Sequence, residues 1–282
     1  MRQQFFLSAC LAGALVLSAC AEKDDDTVER AFQEVNVIDE SNLNDVMLTV
    51  ADPNEAVVHF QRTLKNNPDR IELQRGLAYS LIRAKRTTEG TTAWKKVVSM
   101  KGASSEDRVQ LAGALVRSGE WDEAKAMLDT VPPTHETYER YRLEAIVADA
   151  DKDWKRADSF YDIAIGLTTK PAKVMNNWGY SKLTRGDFAG AERLFGEAIR
   201  QDQTLFTAKN NLVLARGAQR NYTVPVIPLG QTERALLLHT LALSAVKQGD
   251  VKVGENLLRE AIDTHPQHFE EASRSLAALE NG

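Results

Sequence analysis

Three groups of side chains in this 282-residue chain could do chemistry: five histidines, two cysteines and two asparagine pairs. His59, His135, His239, His265 and His268 build no recognisable metal or acid–base site. None falls in an H-E-x-x-H pattern, the spacing that puts two imidazoles on one helix face. His265 and His268 stand three apart, but Pro266 lies between them at an expected helix start. A capping turn accounts for them, and a zinc site would need a third ligand that the chain does not nominate. The phosphate-cradling P-loop, the G-x-G-x-x-G turn and the G-x-S-x-G elbow are all missing. No catalytic residue and no cofactor is therefore nominated, and the chain does not read as an enzyme. The asparagines read differently. Asn176-Asn177 recur as Asn210-Asn211, 34 residues further on. An amide side chain donates and accepts at once, which suits capture of an extended peptide backbone. Arg142, Lys173, Tyr180 and Arg216 are candidates to flank such a site. Two uses of the amides stay open: contact with a bound peptide, or satisfaction of neighbouring helix ends.

The tetrapeptide Leu-Ser-Ala-Cys occurs twice, ending at Cys10 and at Cys20, the only cysteines in the chain. Two thiols exclude a disulfide framework and a thiolate zinc cluster. Residues 5–19 are mostly apolar, too short to span a bilayer and suited to the core of a secretory signal. Leu17-Ser18-Ala19-Cys20 resembles the lipobox of bacterial lipoproteins, in which the signal is cut before a cysteine that carries the lipid. A cut before Cys10 would leave an apolar stretch of about five residues, below the roughly 7–15 a signal needs. The resemblance implies a signal at 1–19, lipidation of Cys20 and a permanent tether of several acyl chains. Position 21 is Ala rather than the Asp that commonly retains such proteins at the inner membrane. That implies an outer-membrane anchor with the body facing the periplasm. A plain signal peptide or a short anchor helix is the alternative. Residues 20–38, with Asp24-Asp25-Asp26, read as a solvated acidic tether.

Beyond the tether, small and large residues keep one period. Ala56, Gly90, Ala124, Ala157 and Ala191 recur at intervals of 34, 34, 33 and 34. Four residues after each stand Phe60, Trp94, Leu128, Tyr161 and Phe195, and earlier in each unit Ala78, Ala112, Ala145 and Gly179 repeat in step. The pattern resembles tetratricopeptide (TPR) repeats, which implies an all-α solenoid of antiparallel helix pairs, A and B, in a right-handed superhelix. Small residues let helix axes approach to roughly 8–10 Å, and the large ones fill the space beside the next unit. Gly119, Gly186 and Gly249 are expected to stop the A helices in a left-handed turn. Glu120, Asp187 and Asp250 then suit the start of the B helices. All eight prolines fall at expected joints.

The expected solenoid occupies 39–282, with units at about 37–70, 71–104, 105–137, 138–171, 172–205 and 235–268 and a capping helix at 269–280. Between them, 206–220 forms a partial unit whose B helix is replaced by the Pro-containing connector 221–230. That connector is a simple linker, or a hinge or strand-like segment that a partner could pair with. The formal charge of −5 comes without a Lys/Arg cluster, which argues against nucleic acid as a partner.

Asn210-Asn211-Leu212-Val213-Leu214-Ala215-Arg216, followed by Tyr222, Pro225, Pro228 and "HPQHFEEASRSLAALE", resembles the TPR lipoproteins of tight-adherence (Flp) pilus assembly, the TadD family. The likeness covers roughly 172–280 and the lipoprotein signal, and the N-terminal half matches only as generic TPR. It implies a periplasmic accessory factor with protein partners, a secretin or other pilus-assembly subunits, and the membrane reached through the lipid. Another TPR lipoprotein role, in β-barrel assembly or as an adaptor for periplasmic hydrolases, is the alternative.

Overall fold

A short period requires the chain to reverse at a fixed point in every unit, and one backbone column does this. Lys85, Gly119, Lys152, Gly186, Arg220 and Gly249 all adopt left-handed backbone, with φ between 59° and 85°. Glycine takes that conformation freely, whereas lysine and arginine do so at a steric cost. The computed structural model describes residues 43–281, so the signal, Cys20 and the tether lie outside the described residues. The described residues form fourteen helices and no strand.

The chain divides into two compact units, one ending at Ala103 and the other starting at Ser104. The first holds α1 (43–49), α2 (Pro53–Asn66), α3 (Ile71–Arg83) and α4 (Thr87–Ser99). Asp52 caps α2 by accepting from the Asn54 and Glu55 amides at 2.8 and 3.3 Å, and Pro53 takes the first helical position, where no amide is needed. Arg83 donates to the carbonyls of Met47, Leu48 and Ala51 at 2.7–3.1 Å and so supplies the C-terminal partners that α1 lacks. Phe60 and Leu73 are buried together, and the Phe60 ring lies where a Cβ on Gly76 would be, 2.4 Å away.

The second unit pairs α5 (Ser105–Ser118) with α6 (Trp121–Asp129), α7 (Tyr138–Ala150) with α8 (Trp154–Gly166), and α9 (Ala172–Thr184) with α10 (Phe188–Gln201). It continues with α11 (Phe206–Ala218), α12 (Gln231–Lys247), α13 (Val251–Thr264) and α14 (Glu270–Glu280). α5 opens on a capping box between Ser104 and Asp107. Asp153 and Asp187 cap α8 and α10 by accepting from the Arg156 and Gly190 amides at 3.2 and 3.0 Å. Glu120, Asp187 and Asp250 all stand at the N-cap of a B helix, but not all of them cap through the side chain. Glu120 and Asp250 make no side-chain cap hydrogen bond; the Asp250 carboxylate instead accepts from Arg220 and Tyr222.

The columns read from the sequence are the core. Ala56, Ala124, Ala157 and Ala191 are fully buried, as are Phe60, Trp94, Leu128, Tyr161 and Phe195 beside them. α6 is the shortest B helix because Pro132 and Pro133 follow it, and Arg140 holds that turn by donating to the carbonyls of Pro132, Pro133 and His135. α12 begins at Gln231, ahead of the expected unit start at 235, and its first turn is bound to α11 through the pair Lys209–Glu233 at 2.9 Å.

Residues 221–230 have no regular structure, but they are packed. Ile227 sits on the cluster built from Phe195, Ala198 and Leu212, while Val224 and Leu229 sit on Val213, Leu237 and Leu241. Tyr222 donates to Asp250 at 2.5 Å, and Arg220 donates to the same carboxylate at 2.9 and 3.0 Å. Thr223, Val226 and Pro228 are the connector's exposed side chains, and Val226 is its one exposed large apolar residue. These apolar anchors take over part of the filling that a B helix would supply, so the segment is built as a plug rather than a loose linker. At the far end Phe269 and Ala272 bury α14 against α12 and α13.

Candidate functional site

Within the second unit the A helices α7, α9 and α11 leave an open furrow with two clefts. One, about 480 Å³, lies over the N-terminal halves of α7 and α9, between Tyr138, Glu139, Arg142, Lys173 and Arg117. The other, about 560 Å³, lies over their C-terminal halves, between Ile146, Trp121, Trp154 and Tyr180. Asn176, Asn177 and Thr207 line both, so the two clefts are continuous.

Of the amides placed here from the sequence, the structure uses each differently. The Asn211 amide nitrogen donates to the Asn176 side-chain oxygen at 3.0 Å, tying α11 to α9. Asn211 is only 8% exposed, yet it reaches the second cleft. Asn210 lines neither cleft and accepts from the Thr240 hydroxyl on α12 at 2.8 Å. Three of the four amides therefore join adjacent A helices, and none satisfies a helix end. Asn177 makes no side-chain hydrogen bond and projects into both clefts, leaving its donor and acceptor to a ligand. Tyr180, 53% exposed, and Lys173, also exposed, line the furrow. Arg142 lines it too, with its guanidinium held in a fork on Glu139 at 2.9 and 2.6 Å. Arg216 does not: its guanidinium turns to Glu192 on α10, 3.5 Å away. Counting along a helix places a residue on a face but does not say which neighbour a long side chain will choose.

The floor of the apolar cleft is a fixed polar network. Asp149 accepts from the Tyr161 hydroxyl at 2.8 Å and from the Ser181 hydroxyl at 2.6 Å. Burial pushes its carboxyl above the usual range despite both bonds. Tyr161, desolvated and facing that carboxylate, is pushed up well beyond an ordinary phenol. Next to them, Asp158 accepts from Trp178 at 2.6 Å, Lys182 at 3.1 Å and Arg185. Burial opposes its ionisation, but the three donors outweigh burial and hold the carboxyl below its usual range. With α8 and α9 locked this way, the furrow is preformed.

Trp121 and Trp154 were not singled out by sequence. Both are the first residue of a B helix, directly after the acidic position, and Phe188 occupies the same place one unit later. That column, 121, 154 and 188, was the available signal. Trp121 is 41% exposed, and Arg185 stacks over Trp154 at 5.5 Å.

The histidines are absorbed structurally. His265 closes a turn with the Gln267 backbone and packs on Phe269 at 4.8 Å, and His268 pairs with Glu270 at 2.9 Å. Among the described residues no group of three or more His, Cys, Asp or Glu could hold a metal ion. No helix among them is long and apolar enough to cross a membrane.

No protein-family model and no curated protein matches the chain. Solved structures do. The chain is similar to one in the APC/C hetero-tetramer Cut9–Hcn1 at 14% identity and a TM-score of 0.60, covering 84% of this chain but 48%, about half, of that one. It resembles PilW, described as a widely conserved type IV pilus biogenesis factor, at 14% identity and a TM-score of 0.58, covering 83% and 96%. A tetratricopeptide repeat protein from Parabacteroides merdae matches at 12% identity and a TM-score of 0.56, covering 91% and 98%. Together with the helix pairs and the buried columns, these likenesses show an all-helical TPR α-solenoid fold.

Proposed function

We propose that this protein is an outer-membrane-tethered periplasmic scaffold, anchored at Cys20, that holds a partner segment in the α7–α9–α11 furrow during assembly of a secretin and Flp-type pilus machine. The observation that carries the binding role is the open furrow around Asn177, whose amide is left unpaired while its neighbours Asn176, Asn210 and Asn211 are engaged. A TPR array offers its A-helix surface to partners as a continuous binding face. The pilus assignment rests on the TadD-like sequence between about 172 and 280 and on the lipobox. The fold likeness to a pilus biogenesis factor agrees with it. No catalytic step is part of this reading.

The test is affinity capture from outer membranes, with piliation scored alongside. Cys20→Ser is expected to release the protein from membranes and reduce surface pili, and wild type is expected to capture a secretin that Asn177→Ala captures poorly. Normal piliation in a deletion strain that carries the pilus genes would overturn the assignment. Capture of barrel-assembly or cell-wall components without a secretin would replace it with the adaptor role.

A further inference from the structure

The furrow is not chemically uniform along its length, and its gradient describes what it takes. Over the N-terminal halves of α7 and α9 stand Arg117, Arg142 and Lys173. The only carboxylate lining that cleft is Glu139, already in a fork with Arg142, while Asp202 lies close enough to Lys173 to feel its charge. This end is net positive. Over the C-terminal halves the lining is Trp121, Ile146, Trp154 and Tyr180, and the one carboxylate there, Asp149, is occupied by Tyr161 and Ser181. The exposed rings of Trp121 and Tyr180 give that end an apolar slot with no charge to spare.

Lys173 and Tyr180 are seven residues apart on one helix, so the two ends lie about 10 Å apart along its axis. An extended chain covers that distance in about three residues. Asn177 lies between them, where a ligand's backbone would pass.

We propose that the furrow recognises an extended segment of a partner protein in which an acidic side chain and a bulky apolar or aromatic side chain stand about three residues apart. The acid lies against Lys173, Arg117 and Arg142, the apolar side chain lies between Trp121, Ile146, Trp154 and Tyr180, and Asn177 holds the intervening backbone. The inference rests on the furrow being the partner site, and it names that partner's chemistry. Charge sets orientation and encounter, and the buried aromatic anchor carries most of the affinity.

Purified full chain is titrated with short peptides bearing Glu-Xaa-Xaa-Phe or Phe-Xaa-Xaa-Glu, read by calorimetry and by the fluorescence of Trp121 and Trp154. One of the two orders is expected to bind saturably. Exchanging its Phe for Ala is expected to weaken binding about tenfold or more, and exchanging its Glu for Lys about fivefold. Tyr180→Ala and Lys173→Glu are expected to produce matching losses with unchanged melting temperatures, since both side chains are exposed. No saturable binding of either order, equal binding of the Glu and Lys peptides, tighter binding when Lys replaces Phe, or full affinity in both variants would each overturn the proposal. The two readings fail separately. Peptide binding with normal pili in the deletion strain removes the pilus assignment alone. Secretin capture that survives Tyr180→Ala and Lys173→Glu removes the peptide chemistry alone.

Discussion

At the level of single residues, the repeat is a matter of volume and of backbone sign. Gly179 lies against Phe195, whose ring carbon would sit 2.7 Å from an added Cβ. Gly179→Ala is therefore expected to destabilise the protein by about 1–3 kcal/mol, read as a lower denaturant midpoint. An unchanged midpoint would mean that the Phe195 ring can retreat. The left-handed column makes the opposite prediction. Lys152 holds φ 59°, so Lys152→Gly removes a steric cost of about 1–2 kcal/mol and gives back part of it as chain entropy, for a net gain of about 0.5–1 kcal/mol in chemical unfolding. Ala157, Gly179 and Phe195 could be read from the sequence because the core admits only certain sizes there. Lys85, Lys152 and Arg220 could not, because their composition carries no trace of the backbone they adopt. The amides show the same limit. Repeat alignment equates Asn176 with Asn210 and Asn177 with Asn211, but the hydrogen bond runs diagonally from Asn211 to Asn176. Side-chain direction around each helix, which a period does not specify, decides that pairing and leaves Asn177 free.

At the level of elements, the irregular stretch after α11 is where the repeat's own rules stop and specific contacts take over. Pro225 and Pro228 exclude a helix there, as the sequence indicated. What the sequence could not supply is the docking, because it depends on Ile227, Val224 and Leu229 meeting clusters that α10, α11 and α12 form only once packed together. Ile227→Ala is expected to lower stability by about 1–2 kcal/mol, since a partly buried isoleucine gives less than the full cavity cost. Native-state proteolysis is expected to leave 221–230 intact, whereas rapid cleavage beside Val226 would mean that the segment swings as a hinge. The neighbouring ion pair brings a pH dependence. Lys209 is 3% exposed, and its hydrogen bond to Glu233, aided by the Gly230 amide, holds the Glu233 carboxyl below its usual range despite partial burial. A depressed carboxyl adds stability above its unfolded pKa of about 4.3, and the contribution disappears as pH falls through the lower folded value. The stability gap between wild type and Glu233→Gln should thus be constant from neutral pH down to about pH 5 and close as the pH falls further. A gap that widens in acid would contradict the assignment.

At the level of the molecule, the division between Ala103 and Ser104 coincides with a change in what the helices do. Every residue of the furrow, from Arg117 to Asn211, belongs to the second unit. That unit starts with its own capping box at Ser104 and Asp107 and ends under α14. Repeat arrays hold together by interactions between neighbouring pairs, so a block with intact pairs and a covered end keeps most of its stability. A fragment spanning 104–282 is therefore expected to fold with a cooperative transition and to bind the acidic–aromatic peptide within about twofold of the full chain, given that each 1.4 kcal/mol would change affinity tenfold. The fragment that ends at 103 is expected to bind none of it. Removing 265–282 from the longer fragment is the sharper arm, because it strips Phe269 and Ala272 from Leu238, Ala242 and Leu258. Fraying from that end would lower the melting temperature first and affinity second, because α12 and α13 lie between α14 and the furrow. If affinity were lost while the melting temperature held, the binding site would have to be sought near the C-terminal cap instead of on α7, α9 and α11.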